Sequence, residues 1–273
     1  MAPDLDLVQE ELRELAGGLI EAAGDPTETF GVYFIDPDDR ASELARHVEH
    51  VVFDEWFGNS PALLAAEYGG YEPATVFIVV LDHRRRLPAG MGRVILPSPL
   101  GFKTLHDIDT VWGHSVPDVF ERSGRDWDLD RIWDFATIAV MPEYRGKATD
   151  ALIMLSMLQT GSQGLLMTGG RFMICTLDTK VWEYFNATMY DAFEPYPDVE
   201  PVAYLDSPSS IPAFVDFDWY RPHLAASDDT TFQMLLYDAG IPPVVRAPDW
   251  DALLRRSEVV SGPRRTSSPI QAL

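Results

Sequence analysis

Asp134 is the one acid in the apolar run IWDFATIAV, residues 132–140. In a strand it alternates with Ile132 and Ala136 and points into a cleft flanked by Trp133. Burial disfavours the charged form of a carboxylate, so Asp134 could take a proton at neutral pH, directly or through water. The same carboxylate could instead close a salt bridge with Arg131 or Arg93. The run continues through Val140-Met-Pro142-Glu-Tyr-Arg145-Gly146-Lys147-Ala148 into an apolar helix. A strand-to-helix turn of this kind presents bare backbone N–H groups and a helix N-terminus to an anion. The alternative is an ordinary helix capped by Thr149 or Asp150.

His47, His50 and Asp54 could share one helix face as metal ligands. No matching fourth ligand accompanies them, so a solvated face is expected and no metal site. Cys175, in RFMICTL, reads as a small buried hydrophobe, because a nucleophile needs exposure and a neighbour that lowers its pKa. HRRR (83–86) is a basic turn.

These residues need elements to hold them. Leu5, Val8, Leu12, Leu15 and Leu19 predict an amphipathic helix over 4–23. FGVYFI (30–35), 74–82, 91–98, 132–140 and 171–178 predict strands from their β-branched and apolar density, with 83–90 as a hairpin connection. Helices are predicted at 38–57, 61–67, 149–160, 180–193, 229–239 and 249–256, and 99–130 reads as an insertion. Prolines 195, 197, 201, 208 and 212 break the later chain into short pieces. The order predicts an α/β layout around one mixed sheet.

Composition narrows the function. With 43 acidic and 21 basic residues the net charge is −22, which argues against nucleic acid and against an anionic membrane surface. The chain has no apolar run of membrane-spanning length and a single cysteine, which fits a reducing cytoplasm.

The stretch 132–158 resembles the GNAT acyltransferase superfamily. There an apolar strand ends in Val-x-Pro, followed by Arg/Gln-Gly-x-Gly-x-Gly/Ala and a helix. Val140, Pro142, Arg145 and Gly146 stand at those places; Ala148 and Asp150 replace the later small residues. The element order over 30–205 is also that of the superfamily. The resemblance implies that Val140, Arg145, Gly146, Lys147 and Ala148 cradle the pyrophosphate of acyl-CoA, and that the preceding strand splays to bind pantetheine by its backbone. Asp150 sets a carboxylate near that phosphate and implies a donor that lacks it.

A narrower resemblance is to the acyl-homoserine-lactone synthase and N-acyl amino acid synthase branch. Tyr71-Glu72 stands for its Tyr-Asp, Arg93-Val-Ile-Leu-Pro97-Ser98 for Arg-Leu-Leu-Pro-Thr, and Trp133-Asp134-Phe-Ala-Thr137 for Trp-Glu-x-x-Arg. This implies that Arg93 and Trp133 bind substrate, Arg93 facing the same cleft as Asp134. Thr137 in place of the arginine argues against lactone synthesis from S-adenosylmethionine. The superfamily often has a tyrosine general acid on the helix at 180–193, implying Tyr190, with Tyr184 as the other register. In this branch the donor is commonly an acyl carrier protein, for which HRRR, Arg145 and Lys147 would form a docking patch.

The expectation is an α/β, GNAT-like mixed central sheet flanked by helices. It comprises an N-terminal helix (1–27), an acyltransferase domain (28–205), a C-terminal extension packed on it (206–256) and a mobile tail (257–273). The expected function is an N-acyltransferase moving an acyl group from a pantetheine thioester, on carrier protein or CoA, to a small amine or amino acid. Asp134 would be its base and Tyr190 its acid, with no tightly bound cofactor. One alternative is a GNAT-fold binding or assembly protein without acyl-CoA chemistry, with the N-terminal helix and C-terminal extension making homodimer contacts. The other is an enzyme using S-adenosylmethionine in the same cleft.

Overall fold

The computed structural model describes residues 8–189, 191–226, 241–250 and 252. Its centre is the hairpin β2 (Thr75–Asp82) and β3 (Leu87–Ile95), every residue of which is buried. Strands covered on both faces read as continuous apolar runs, and TVFIVVLD is such a run. The turn between them is shorter than the sequence suggests. Leu87 already pairs with Asp82, and a bulge between Val80 and Leu81 accommodates Pro88 opposite Leu81.

Around this hairpin lies one mixed sheet in the order β6-β8-β5-β4-β3-β2-β1-β9, with β7 pairing β8. The other strands are β1 (Phe30–Ile35), β4 (Ile132–Val140), β5 (Phe172–Asp178), β6 (Glu194–Pro195), β7 (Val202–Tyr204), β8 (Ser207–Asp216) and β9 (Val244–Arg246). β4 with β5 and β1 with β9 are parallel; the other pairs are antiparallel. The mixed sheet flanked by helices is the expected fold class.

α2 (Ser42–Phe57) and α4 (Lys103–Thr110) cover one face. Glu49 of α2 reaches Arg93 and Thr137, and Thr104 of α4 reaches Asp134. α6 (Lys147–Met167) covers the other. It lies so close that a Cβ on its Gly161 would meet Phe135 at 2.6 Å, and one on Gly90 of β3 would meet Ile153 at 2.6 Å. α1 (Gln9–Ala22) packs on α2 and β3, α3 (Pro61–Tyr68) precedes β2, and α7 (Thr179–Met189) follows β5 onto β8.

Two sequence readings change. Residues 99–130, read as an insertion without assigned elements, hold the helices α4 and α5 (Val116–Ser123). The sheet also continues past residue 205. β8 is a ten-residue strand despite Pro208 and Pro212. Pro212's carbonyl accepts from Tyr196 N, on the side where pairing with β6 and β7 lapses. In an antiparallel strand a residue's N–H points the same way as its C=O, so the missing N–H takes no bond from the β5 ladder. The reading of 229–239 as helix, most of 249–256 and the tail from 257 lie outside the described residues.

Candidate active site

β4 and β5 pair at only three positions, Ile132↔Phe172, Trp133↔Met173 and Asp134↔Ile174. β4 stays joined to β3 as far as Val140, but its ladder skips Ala136, with Phe135 opposite Val94 and Thr137 opposite Arg93. A bulge bends its strand and tightens the local twist. From this point the two parallel strands part. The gap holds a cavity of about 120 Å³ with Phe135–Ile138 on one side and Thr176–Asp178 on the other. Tyr68, Lys103, Thr104, Asp107, Tyr204, Ser207 and Ser210 form its polar wall, and Phe53, Phe57, Val181 and Leu205 add apolar surface.

The polar wall is tightly organised. Lys103 Nζ donates to Asp107 at 2.6 Å, to Glu67 at 2.8 Å and to the Tyr204 hydroxyl at 2.8 Å. Tyr204 in turn donates to Asp107 at 2.5 Å, and burial with the neighbouring anions keeps its phenol protonated. Asp178, at the cavity's far side, accepts from Ser207 Oγ at 2.8 Å and from Lys180 N at 2.9 Å. Among the described residues it pairs with no cation. Thr176 Oγ1, on the same wall, is buried without a hydrogen-bond partner.

Asp134 lies beneath this wall, not on it. It is fully buried, and its two oxygens accept from Thr104 N and Thr104 Oγ1, both at 2.8 Å. Burial raises its pKa from 3.8 to about 7 against the lowering effect of those two bonds. Trp133 does not flank it. Successive strand residues point to opposite faces, so Trp133 packs across the sheet, where a Cβ on Gly164 would meet its ring at 2.6 Å.

Arg93 shares the face of Asp134 but turns to other partners. Its Nε and Nη2 donate to Glu49 at 3.0 and 2.6 Å, its Nη1 to Glu72 at 2.7 Å, and its guanidinium lies 4.9 Å from the Tyr68 ring centroid. Burial lowers the guanidinium's pKa and the two carboxylates raise it by more, holding it charged. Glu72 also binds Arg46, and Thr137 Oγ1 donates to Glu49 at 2.7 Å. Arg93 is thus a buried, fully paired cation behind Tyr68, out of reach of a substrate in the cavity.

At the far end of β4, α6 starts at Lys147 with Gly146 as its N-cap, at φ +144°. Only glycine adopts that backbone freely, and having no side chain it leaves the first-turn N–H groups uncapped by itself. Arg145 bends back. Its Nε donates to Val140 O at 3.1 Å and its Nη1 to Glu55 at 2.6 Å, while Nη2 is buried without a partner. The side chains of Lys147, Ala148 and Asp150 lie outside the described structure, as does Tyr190. Tyr184 is half exposed on α7, and Cys175 is buried with its thiol pKa pushed up by burial.

A larger cavity, about 400 Å³, lies between α6, β5 and the chain after β8. Leu158, Leu166, Met173, Met189, Phe193, Val215 and Phe217 make its wall mainly apolar, with Arg221 as the charged member. It lacks paired acid–base groups, which converge on the smaller cavity. Sequence reading missed Glu49, Lys103, Asp107 and Tyr204. Three of these left a signal: Glu49 follows Ala45 by four on an apolar helix face, and Lys103 and Asp107 are an i, i+4 ion pair. Among the described residues no helix is long and apolar enough to cross a membrane, and no three His, Cys, Asp or Glu side chains gather as metal ligands.

No protein-family profile matches the sequence, and no curated protein matches it. Solved structures do. One is BjaI, a CoA-dependent acyl-homoserine lactone synthase, with SAM and isopentyl-CoA. It is 17% identical, with a TM-score of 0.54 over 84% of this chain and 99% of that one. Another is FeeM, an N-acyl amino acid synthase from uncultured soil microbes. It is 12% identical, with a TM-score of 0.51 over 72% of this chain and 96% of that one. At these identities the likeness is one of fold alone: the chain shares with these two synthases a GNAT-like mixed central sheet flanked by helices.

Proposed function

We propose that this chain is an N-acyltransferase that moves an acyl group from the pantetheine thioester of acyl-CoA to an amine. The observation that carries this reading is the parting of β4 and β5 after Asp134 and Ile174, which lines a cavity with strand backbone. Inner strands normally pair on both edges, and unpaired backbone groups away from water are costly. An extended arm with amide groups of its own, such as pantetheine, can complete the ladder. Uncapped N–H groups at the start of α6 and the unpartnered Nη2 of Arg145 suit the pyrophosphate. The similar fold of a CoA-dependent synthase holding isopentyl-CoA supports the same donor.

In the reaction the neutral amine nitrogen attacks the thioester carbon. The C–N bond forms, the C–S bond breaks, and the thiolate leaves. Backbone N–H groups of β4 at the gap stabilise the developing oxyanion. Asp178, a cavity carboxylate that pairs with no cation among the described residues, takes the amine's proton. Asp134 acts through Thr104 as a positioning residue that fixes the start of α4. The thiolate's proton is assigned to Tyr190 from the sequence pattern alone.

The test is thiol release from acyl-CoAs of increasing chain length, and from the matching acyl carrier protein thioesters, with and without amine. Amine-dependent release from acyl-CoA is the expected result. Release from the carrier protein alone would replace the donor, and release from neither would overturn the reading.

A further inference from the structure

We propose that the cavity takes a positively charged amine that carries no carboxylate, rather than an amino acid. This rests on the acyltransferase reading of the same cavity and names its acceptor class. A carboxylate is held by a cation with donors to spare, and among the described residues lining this cavity no cation has one. Lysine has three N–H donors, and Lys103 spends them on Asp107, Glu67 and Tyr204. Arg93 is held by Glu49 and Glu72 and stands behind Tyr68. Arg145 does not line this cavity; it is bound to Glu55 and to Val140 O, and its unpartnered Nη2 is the donor assigned above to the pyrophosphate.

The anions, by contrast, are in excess. Asp107 and Glu67 share one ammonium, that of Lys103, and Asp178 has none, so these three carboxylates outnumber the cation paired with them by two. Asp178 is the one without a cation partner among the described residues. Thr176, also on the cavity wall, holds a buried hydroxyl oxygen without a hydrogen-bond partner. A net charge of −22 draws cations toward the protein at long range as well.

The experiment uses pairs that differ by one carboxylate: cadaverine and lysine, agmatine and arginine, tyramine and tyrosine. Each is titrated into the full-length protein by calorimetry, and thiol release from acyl-CoA is measured separately. At least about tenfold tighter binding of the decarboxylated member is expected, because one like charge held near the wall costs more than a tenfold step. Asp178→Asn, checked for an unchanged melting temperature, should reduce that preference severalfold. Equal or tighter binding of the amino acid, or binding of neither member, overturns the proposal. Amine binding without thiol release would support it and sink the acyltransferase reading. Thiol release with amino acids alone would do the reverse.

Discussion

Replacing Asp134 by asparagine should remove a specific pH dependence of stability. The carboxyl is fully buried, and burial lifts its pKa from 3.8 to about 7. The folded state therefore holds the proton more tightly than the unfolded chain. That contribution is complete below about pH 4, fades as pH rises, and is gone above about pH 7. A shift of about three units corresponds to an upper bound on the order of 4 kcal/mol, at ~1.4 kcal/mol per unit. Asparagine is neutral throughout and keeps one acceptor for Thr104. Urea unfolding of both proteins at pH steps from about 4 to 8 gives the difference directly. The stability advantage of the native protein over Asp134→Asn should shrink as pH rises through that window. A difference that stays constant would show that Asp134 does not titrate there. A growing one would reverse the sign and refute the burial argument.

Arg93→Lys should lower the unfolding free energy by roughly 1.5–3 kcal/mol, because lysine cannot fork onto Glu49, and leave KM unchanged; a raised KM at unchanged Tm would make Arg93 a substrate ligand. Gly164→Ala would set a Cβ 2.6 Å from both Trp133 and Trp250, so overpacking should cost about 1–3 kcal/mol in a denaturant titration, and an unchanged midpoint would mean the rings move aside freely. Asp150→Gly removes a carboxylate from the first turn of α6. Like charges ~4 Å apart repel by up to ~4 kcal/mol, so acyl-CoA should bind up to about three decades tighter by calorimetry, and an unaltered Kd would place Asp150 outside the phosphate's field.

Much of the scaffold was legible because burial writes itself into residue type. β1 and β2 match FGVYFI and the 74–82 run within a residue, since fully covered strands must be β-branched and apolar. β8 was illegible because prolines 208 and 212 signal breaks, and only the lapse in neighbouring strands makes Pro212 harmless. At the site, Asp134 stood out as a lone acid in an apolar run. Its partner, Thr104, came from a segment without periodicity, so its concealment beneath α4 could not be foreseen. The cavity itself depends on the bulge at Ala136, which no residue type in IWDFATIAV announces.

The central claim is that the donor's pantetheine lies between β4 and β5. Backbone hydrogen exchange measured with and without acyl-CoA tests it directly, because the arm would cover amides that now face the gap. The expected result is slowed exchange in 135–138 and 176–178, together with the first turn of α6, at saturating acyl-CoA. Unchanged exchange in those segments while acyl-CoA is bound would contradict the account.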